Sequence, residues 1–212
     1  MATLTKTKKK PWDRGARERL LTGASRLFAR KGYAAATVRE IVQEAGVSKP
    51  VLYYYFKNKE GLYLDLMREA LARFDALLEE SRQHRGSVRE RLILLSERIF
   101  GLFMEQIEVA RLAYSIYFGP SQGAPSFDFE ALHLKFRQVL MTLVEEGIGN
   151  QEIKKKNVLD ITIALLGVIN VAMELKLGHP ELHLGKKELR RVLNLLFEGL
   201  AREKETIRGK KG

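Results

Sequence analysis

Apolar residues recur at i, i+3, i+4 and i+7 along almost the whole chain, and strict alternation is missing. The pattern predicts an all-α protein of about nine helices. The first runs from about Asp13 to Arg30, with Leu20, Leu21, Ala24, Leu27 and Phe28 on one stripe. Lys31-Gly32 closes it, a cation followed by a C-terminal glycine. Thr37 starts a second helix to about Glu44, and Glu40 three residues on completes a capping box. Gly46 permits a sharp turn, Ser48 caps a third helix to about Tyr55, and Pro50 sits harmlessly in its first turn. Asn58 caps a long fourth helix, to about Ser81. Ser87 and Glu90 open a fifth, to about Met104, and a sixth covers about Ile107 to Phe118. The segment GPSQGAPS, 119–126, is the clearest loop. The seventh helix spans about Phe127 to Glu146, the eighth about Val158 to Leu177 and the ninth about Lys187 to Arg202.

The eighth helix differs from the rest. From Ile161 to Met173, ITIALLGVINVAM carries no charge. A bilayer needs about 20 apolar residues, so the run is expected to be too short to span one. A helix apolar on every side must be covered by protein instead. It is either the central helix of a monomeric bundle or a helix packed on its own body and on a second subunit. The second arrangement is a homodimer built through about 158–177 and 187–202, with Gly167 and Ala172 allowing close helix approach.

Charge adds a direction. The chain's formal +11 is uneven: residues 1–60 hold 14 Lys and Arg against 5 Asp and Glu, and the other 152 residues hold 23 against 21. A small basic head on a nearly neutral body is the footprint of a polyanion binder, nucleic acid first and anionic membrane second. With 45% hydrophobic residues the body can bury a core. The absence of cysteine excludes disulfides and suits a cytoplasmic protein. The start, MATLTKTKKKPW, has no apolar run behind it and does not read as a signal peptide. Its Lys6–Lys10 stretch is expected to be a flexible basic tail, either solvated or following DNA.

The second and third helices, joined by Ala45-Gly46-Val47 in this basic head, form a helix-turn-helix pattern. On a wheel with Leu52 at 0°, Phe56 falls at roughly 40° and the two mark the buried edge. Tyr54 falls at roughly 200°, with Pro50 at about 160° and Val51 at about 260° beside it, so these three are expected to face the major groove. Tyr53 and Tyr55 lie on the shoulders, where a ring packs and a hydroxyl reaches a phosphate. Thr37 and Ser48 begin helices, so each is a phosphate ligand, a cap, or both. Arg39 and Lys49 are the candidates for guanine contacts.

The segment TVREIVQEAGVSKPVLYYYFKNKEGLYLDLM resembles the signature of tetracycline-repressor-type (TetR) regulators, and LFARKGYAAAT before it does as well. The resemblance covers about residues 13–66. It implies a basic tail at 1–12, a three-helix DNA-binding domain at 13–57 and a ligand-binding and dimerisation domain at 58–212. Lys59 aligns with the family's phosphate-binding lysine. Pro50-Val51 stand where many relatives carry Gly-Thr or Gly-Ser, which removes a hydroxyl from base readout. The resemblance also implies an effector pocket in the body and a fourth helix that transmits its occupancy to the DNA head.

Candidate pocket residues are Phe100, Phe103, Met104, Tyr114, Tyr117, Phe118, Phe136 and Met141, with Asn170 and Glu174 as polar partners; each is otherwise a core or interface residue. A large apolar or aromatic effector fits them, and no cofactor is implied. Two other classes compete with a ligand-responsive, dimeric repressor on a palindromic operator. A helical carrier touching membranes needs a wide amphipathic helix at the basic end, where short capped helices stand instead. An enzyme needs converging titratable groups in the body, and none is evident. His179 and His183 have helical spacing, but Pro180 interrupts it.

Overall fold

The computed structural model describes residues 15–119 and 123–199. The Lys6–Lys10 tail, part of the loop at 119–126 and the expected end of the ninth helix at about Arg202 lie outside them. The described residues form helices and no strands: α1 (Gly15–Ala35), α2 (Val38–Glu44), α3 (Lys49–Phe56), α4 (Lys59–Gln83), α5 (Val88–Glu105), α6 (Ile107–Tyr117), α7 (Phe129–Gly149), α8 (Val158–Gly178) and α9 (Lys186–Glu198). The chain packs as two compact units. One takes the residues up to Ala76 with Leu102–Leu134; the other takes Leu77–Gly101 with the residues from Lys135 on.

The predicted helix starts are reproduced with their chemistry. Thr37 has extended backbone, its Oγ1 accepts from the Glu40 N–H at 3.3 Å, and the Thr37 N–H donates to the Glu40 carboxylate at 3.0 Å. Asn58 Oδ1 accepts from Gly61 N at 2.7 Å at the start of α4, and Asn157 Oδ1 accepts from Leu159 and Asp160 at the start of α8. Ser48 departs from the pattern: it holds the N-cap position of α3 but makes no capping hydrogen bond. The first helix also runs further than expected. It kinks at Gly32 (φ 78°, ψ 163°), a conformation glycine adopts cheaply, and turns on to Ala35.

In the first unit, Leu20, Ala24 and Phe28 of α1, Ile41 of α2, Leu52 and Phe56 of α3, Leu62 and Tyr63 of α4 and Leu112 of α6 close one core. Seven of these, Leu20, Ala24, Ile41, Leu52, Leu62, Tyr63 and Leu112, have no exposed surface, and each buried aliphatic chain of Leu or Ile size stabilises the head by about 1.5–3 kcal/mol. Three aromatic rings pack beneath the start of α4: Phe28–Tyr33 at 5.4 Å, Tyr33–Tyr63 at 5.1 Å and Phe28–Tyr63 at 6.3 Å between centroids.

In the second unit, α8 buries Thr162, Leu165, Ile169, Ala172 and Met173. Its opposite side exposes Leu159, Ile163 and Val171, and α9 exposes Val192, Leu195 and Leu196. Between them runs an apolar groove of about 290 Å³, lined by Gly167, Val168, Val171, Ala172, Leu175, Leu184, Leu189 and Val192. The helix is longer than its uncharged run suggested. It has 21 residues and a mean hydropathy of 2.0 over its most apolar window, enough by length and composition to cross a membrane, and 28% of that window is buried in the chain. Asp160, Glu174 and Lys176 lie inside the helix near its ends, so the absence of charge understated its length. Asn170 and Glu174 are exposed on α8.

Ion pairs fix α9 to α5. Arg190 makes two bonds to the Glu97 carboxylate, at 2.7 and 2.5 Å, and Arg89 reaches Asn194 at 3.0 Å and Glu198 at 2.8 Å.

Candidate nucleic-acid interface

The two-helix unit is held to α1 by side chains distant in sequence. Arg30 pairs with Glu44 at 3.1 Å, Lys31 with Glu40 at 2.7 Å, and Arg19 Nε donates to the Ala45 carbonyl at 3.3 Å. Arg17 lies 5.4 Å from the Phe56 ring centroid and pairs with Asp65 and Glu69, so it joins α1, α3 and α4. None of these ties was foreseen, because their partners are too far apart in the chain for any local pattern to show. Gly46, at φ 62°, makes the turn as expected. Glu40 is held down to about 2, first by the Lys31 ammonium and then by the Thr37 hydroxyl and N–H. With Glu40 committed to Lys31 and Thr37, the exposed Arg39 beside it is left on the surface.

Helix α3 presents a definite outer face. Ser48, Lys49 and Pro50 are exposed, with Tyr53 at 50% and Tyr54 at 64%. Of the three tyrosines Tyr54 is the most exposed and Tyr55 is half-buried against the core. The Tyr54 ring meets the Tyr55 ring edge-on at 5.0 Å, and Tyr55 meets Phe56 at 6.2 Å, which makes Tyr55 a packing support for its neighbour.

Val51 is a correction. It was expected in the groove, but it is 6% exposed and belongs to the core. The buried arc of α3 runs from Val51 at roughly 260°, through Tyr55 and Leu52, to Phe56 at about 40°. Its centre is rotated away from the midpoint of Leu52 and Phe56 alone. The outer face is consequently Lys49, Pro50, Tyr53 and Tyr54.

The remaining predicted contacts divide. The Thr37 hydroxyl is engaged with Glu40, donating to its carboxylate at 2.7 Å. The Ser48 hydroxyl makes no capping bond and stands exposed at the start of α3. Lys59 is half-buried and does not project outward; its Nζ donates to the Tyr33 and Ala36 carbonyls at 3.0 and 3.1 Å.

The predicted pocket residues are distributed over both units. In the first, Phe103 is buried, Met104 and Tyr114 are half-buried, and Tyr117 and Phe118 are exposed at 41% and 73%. Phe103, Tyr114, Phe118 and Tyr117 make a chain of ring contacts at 6.5, 5.6 and 4.8 Å. Tyr117 also stacks on His133 at 4.8 Å and donates to Glu130 at 3.2 Å. In the second, Phe100 and Phe136 are core residues and Met141 is half-buried.

Known proteins share this organisation. Over 88% of its length the chain is 27% identical to the HTH-type transcriptional regulator YerO of Bacillus subtilis, taking in 66% of that protein. Over 63% it is 31% identical to the HTH-type transcriptional repressor KstR2 of Mycolicibacterium smegmatis, taking in 65%. The chain thus spans about two thirds of each relative. The fold is that of the B. subtilis transcriptional regulator FadR, solved with stearoyl-CoA: TM-score 0.66 at 23% identity, covering 87% of this chain and 99% of that one. Residues 20–66, which hold the core of α1, the whole two-helix unit and the first turns of α4, match the model of bacterial regulatory proteins of the tetR family. That head, residues 20–66, is a tetR-family domain.

Proposed function

We propose that the chain is a ligand-responsive, sequence-specific transcriptional regulator that represses from a palindromic operator as a homodimer. The observation that carries this reading is the α2–α3 unit. Its inner side is closed by Ile41, Val51, Leu52 and Phe56, and its outer side offers Lys49, Pro50, Tyr53 and Tyr54. Proline and tyrosine rings suit thymine methyls, Lys49 and the exposed Arg39 suit guanine edges, and Ser48 with the tyrosine hydroxyls suits phosphates.

A helix of eight residues reads few base pairs, so specific affinity needs two copies about one DNA turn apart. The uncovered apolar face of α8 and α9 supports a dimer through about 158–177 and 187–202. The body is the effector domain, its effector a largely apolar molecule. A shared fold with a protein holding stearoyl-CoA supports a long acyl chain within that class. The fourth helix then transmits effector binding to the head by shifting the balance of two poses.

Selection of duplexes from a random-sequence pool tests the reading, followed by gel shifts across a salt series and by addition of stearoyl-CoA. A palindrome with half-sites about one turn apart is expected, bound less tightly once the effector is present. Failure to enrich any sequence refutes specific recognition.

A further inference from the structure

Resemblance to the family places Lys59 at a DNA phosphate, but its ammonium is directed at the chain itself. Nζ donates to the carbonyls of Tyr33 at 3.0 Å, Ala36 at 3.1 Å and Ala34 at 3.5 Å. It also lies 4.2 Å from the centroid of the Tyr33 ring. An ammonium has three N–H bonds, and three carbonyls receive them here. Burial pulls the Lys59 pKa below the usual lysine range, as befits a group removed from water. These carbonyls occupy the stretch between the Gly32 kink and Thr37, the N-cap of α2. Without Lys59 the first turn of α4 and this corner lose their polar tie, and its partly buried acceptors lose their donor.

We propose that Lys59 is a positioning residue: it pins the start of α4 to the α1–α2 corner and so sets the pose of α2 and α3 on DNA, without itself touching a phosphate. The proposal rests on the DNA-binding reading above. It also makes one side chain the link through which a displacement of the first turn of α4 reaches α2.

The test uses the whole chain and a duplex that the wild-type protein selects from a random-sequence pool. Lysines are acetylated with N-hydroxysuccinimidyl acetate, and the rate at each site is read by mass spectrometry with and without the duplex. Exposed Lys49 is expected to react quickly and to be protected by DNA. Lys59 is expected to react at least about tenfold more slowly in the free chain, with no change on adding DNA, since its nitrogen is held against the Tyr33 ring and three carbonyls, and that loss of access outweighs the lowered pKa. A Lys59 that reacts as fast as Lys49 and is protected by the duplex overturns the proposal.

Lys59→Met supplies a second readout. The slope of log K against log salt should stay within a few tenths of the wild-type value, while affinity for the selected duplex falls by about tenfold and for a random duplex by less. A slope lowered by about 0.9, with both duplexes weakened alike, identifies a phosphate contact and also overturns it. If the variant does not fold, the wild-type labelling decides. If no duplex is selected and DNA protects no lysine, the DNA-binding reading fails, while slow labelling of Lys59 in the free chain still reports the pin.

Discussion

At the scale of single residues, burial and hydrogen bonding assign opposite roles to neighbouring tyrosines. Tyr63 is fully buried among Phe28 and Tyr33, and its hydroxyl has no hydrogen-bond partner. Burial pushes its pKa up to about 12. A phenol whose pKa is raised on folding contributes stability that is complete below its ordinary value of 10.0 and is lost as pH rises toward 12. Alkaline denaturation followed by circular dichroism should therefore steepen across that interval. Tyr63→Phe should flatten it and raise stability near neutrality by about 1 kcal/mol, because an unmet buried hydroxyl is removed. On α3 the contrast is between Tyr54 and Val51. Tyr54→Ala should relax sequence preference in a repeated pool selection while shifting stability by no more than about 0.5 kcal/mol. Val51→Ala should instead cost about 2 kcal/mol in denaturant melts and leave the preferred sequence unchanged. That difference was not legible beforehand, since two anchors on a wheel do not fix the centre of a buried arc. Val51 and Tyr55 are drawn inward by what α1, α2 and α4 offer, which no reading of α3 alone contains.

At the scale of elements, the starts of helices were the most legible feature. A serine, threonine or asparagine before an apolar run satisfies orphan N–H groups locally, so Thr37 and Asn58 declared themselves in the sequence, while the Asn157 cap of α8 was found only in the structure. Ser48 did not follow, and its hydroxyl remains at the surface where a phosphate can use it. Helix α2 has seven residues, too few to stand alone, and it depends on its cap and on ion pairs to α1. Thr37→Ala should cost about 1 kcal/mol of head stability, read by thermal melts. Acid should act at the same place. The Glu40 carboxylate has its pKa lowered on folding, so its contribution is present above 4.5 and is lost as pH falls toward 2. Backbone amide exchange across Val38–Glu44 should accelerate within that range, and Glu40→Gln should already show part of the change at neutral pH. The ties from Arg17, Arg19 and Arg30 were illegible for a different reason. They join residues at least 14 positions apart, and only the packed core decides which of many arginines meets which acceptor.

At the scale of the whole molecule, the exposed apolar face of α8 and α9 is the feature least compatible with a chain that works alone. Leu159, Ile163 and Val171 on one helix, and Val192, Leu195 and Leu196 on the other, leave a continuous class of large side chains in water. Each would gain about 1.5–3 kcal/mol on full burial. Pairing with the same face of a second copy covers both at once, because a two-fold interface uses one patch twice. The alternative cover for a largely apolar helix of 21 residues is lipid, and the two covers respond differently to charge. Ile163→Glu and Leu195→Glu, made together, place carboxylates at the middle of the face without touching the buried side of α8, which Leu165 and Ile169 hold. Sedimentation of the wild-type chain should show a dimer in detergent-free buffer, and the double variant should sediment as a monomer with an unchanged circular dichroism spectrum. Its affinity for a palindromic duplex should fall by at least about 100-fold, since each head alone retains contacts to one half-site only. Affinity for a duplex carrying a single half-site should change little. A double variant that still sediments as a dimer removes this face from the assembly, and a wild-type chain that enters phospholipid vesicles in preference to pairing assigns the face to lipid.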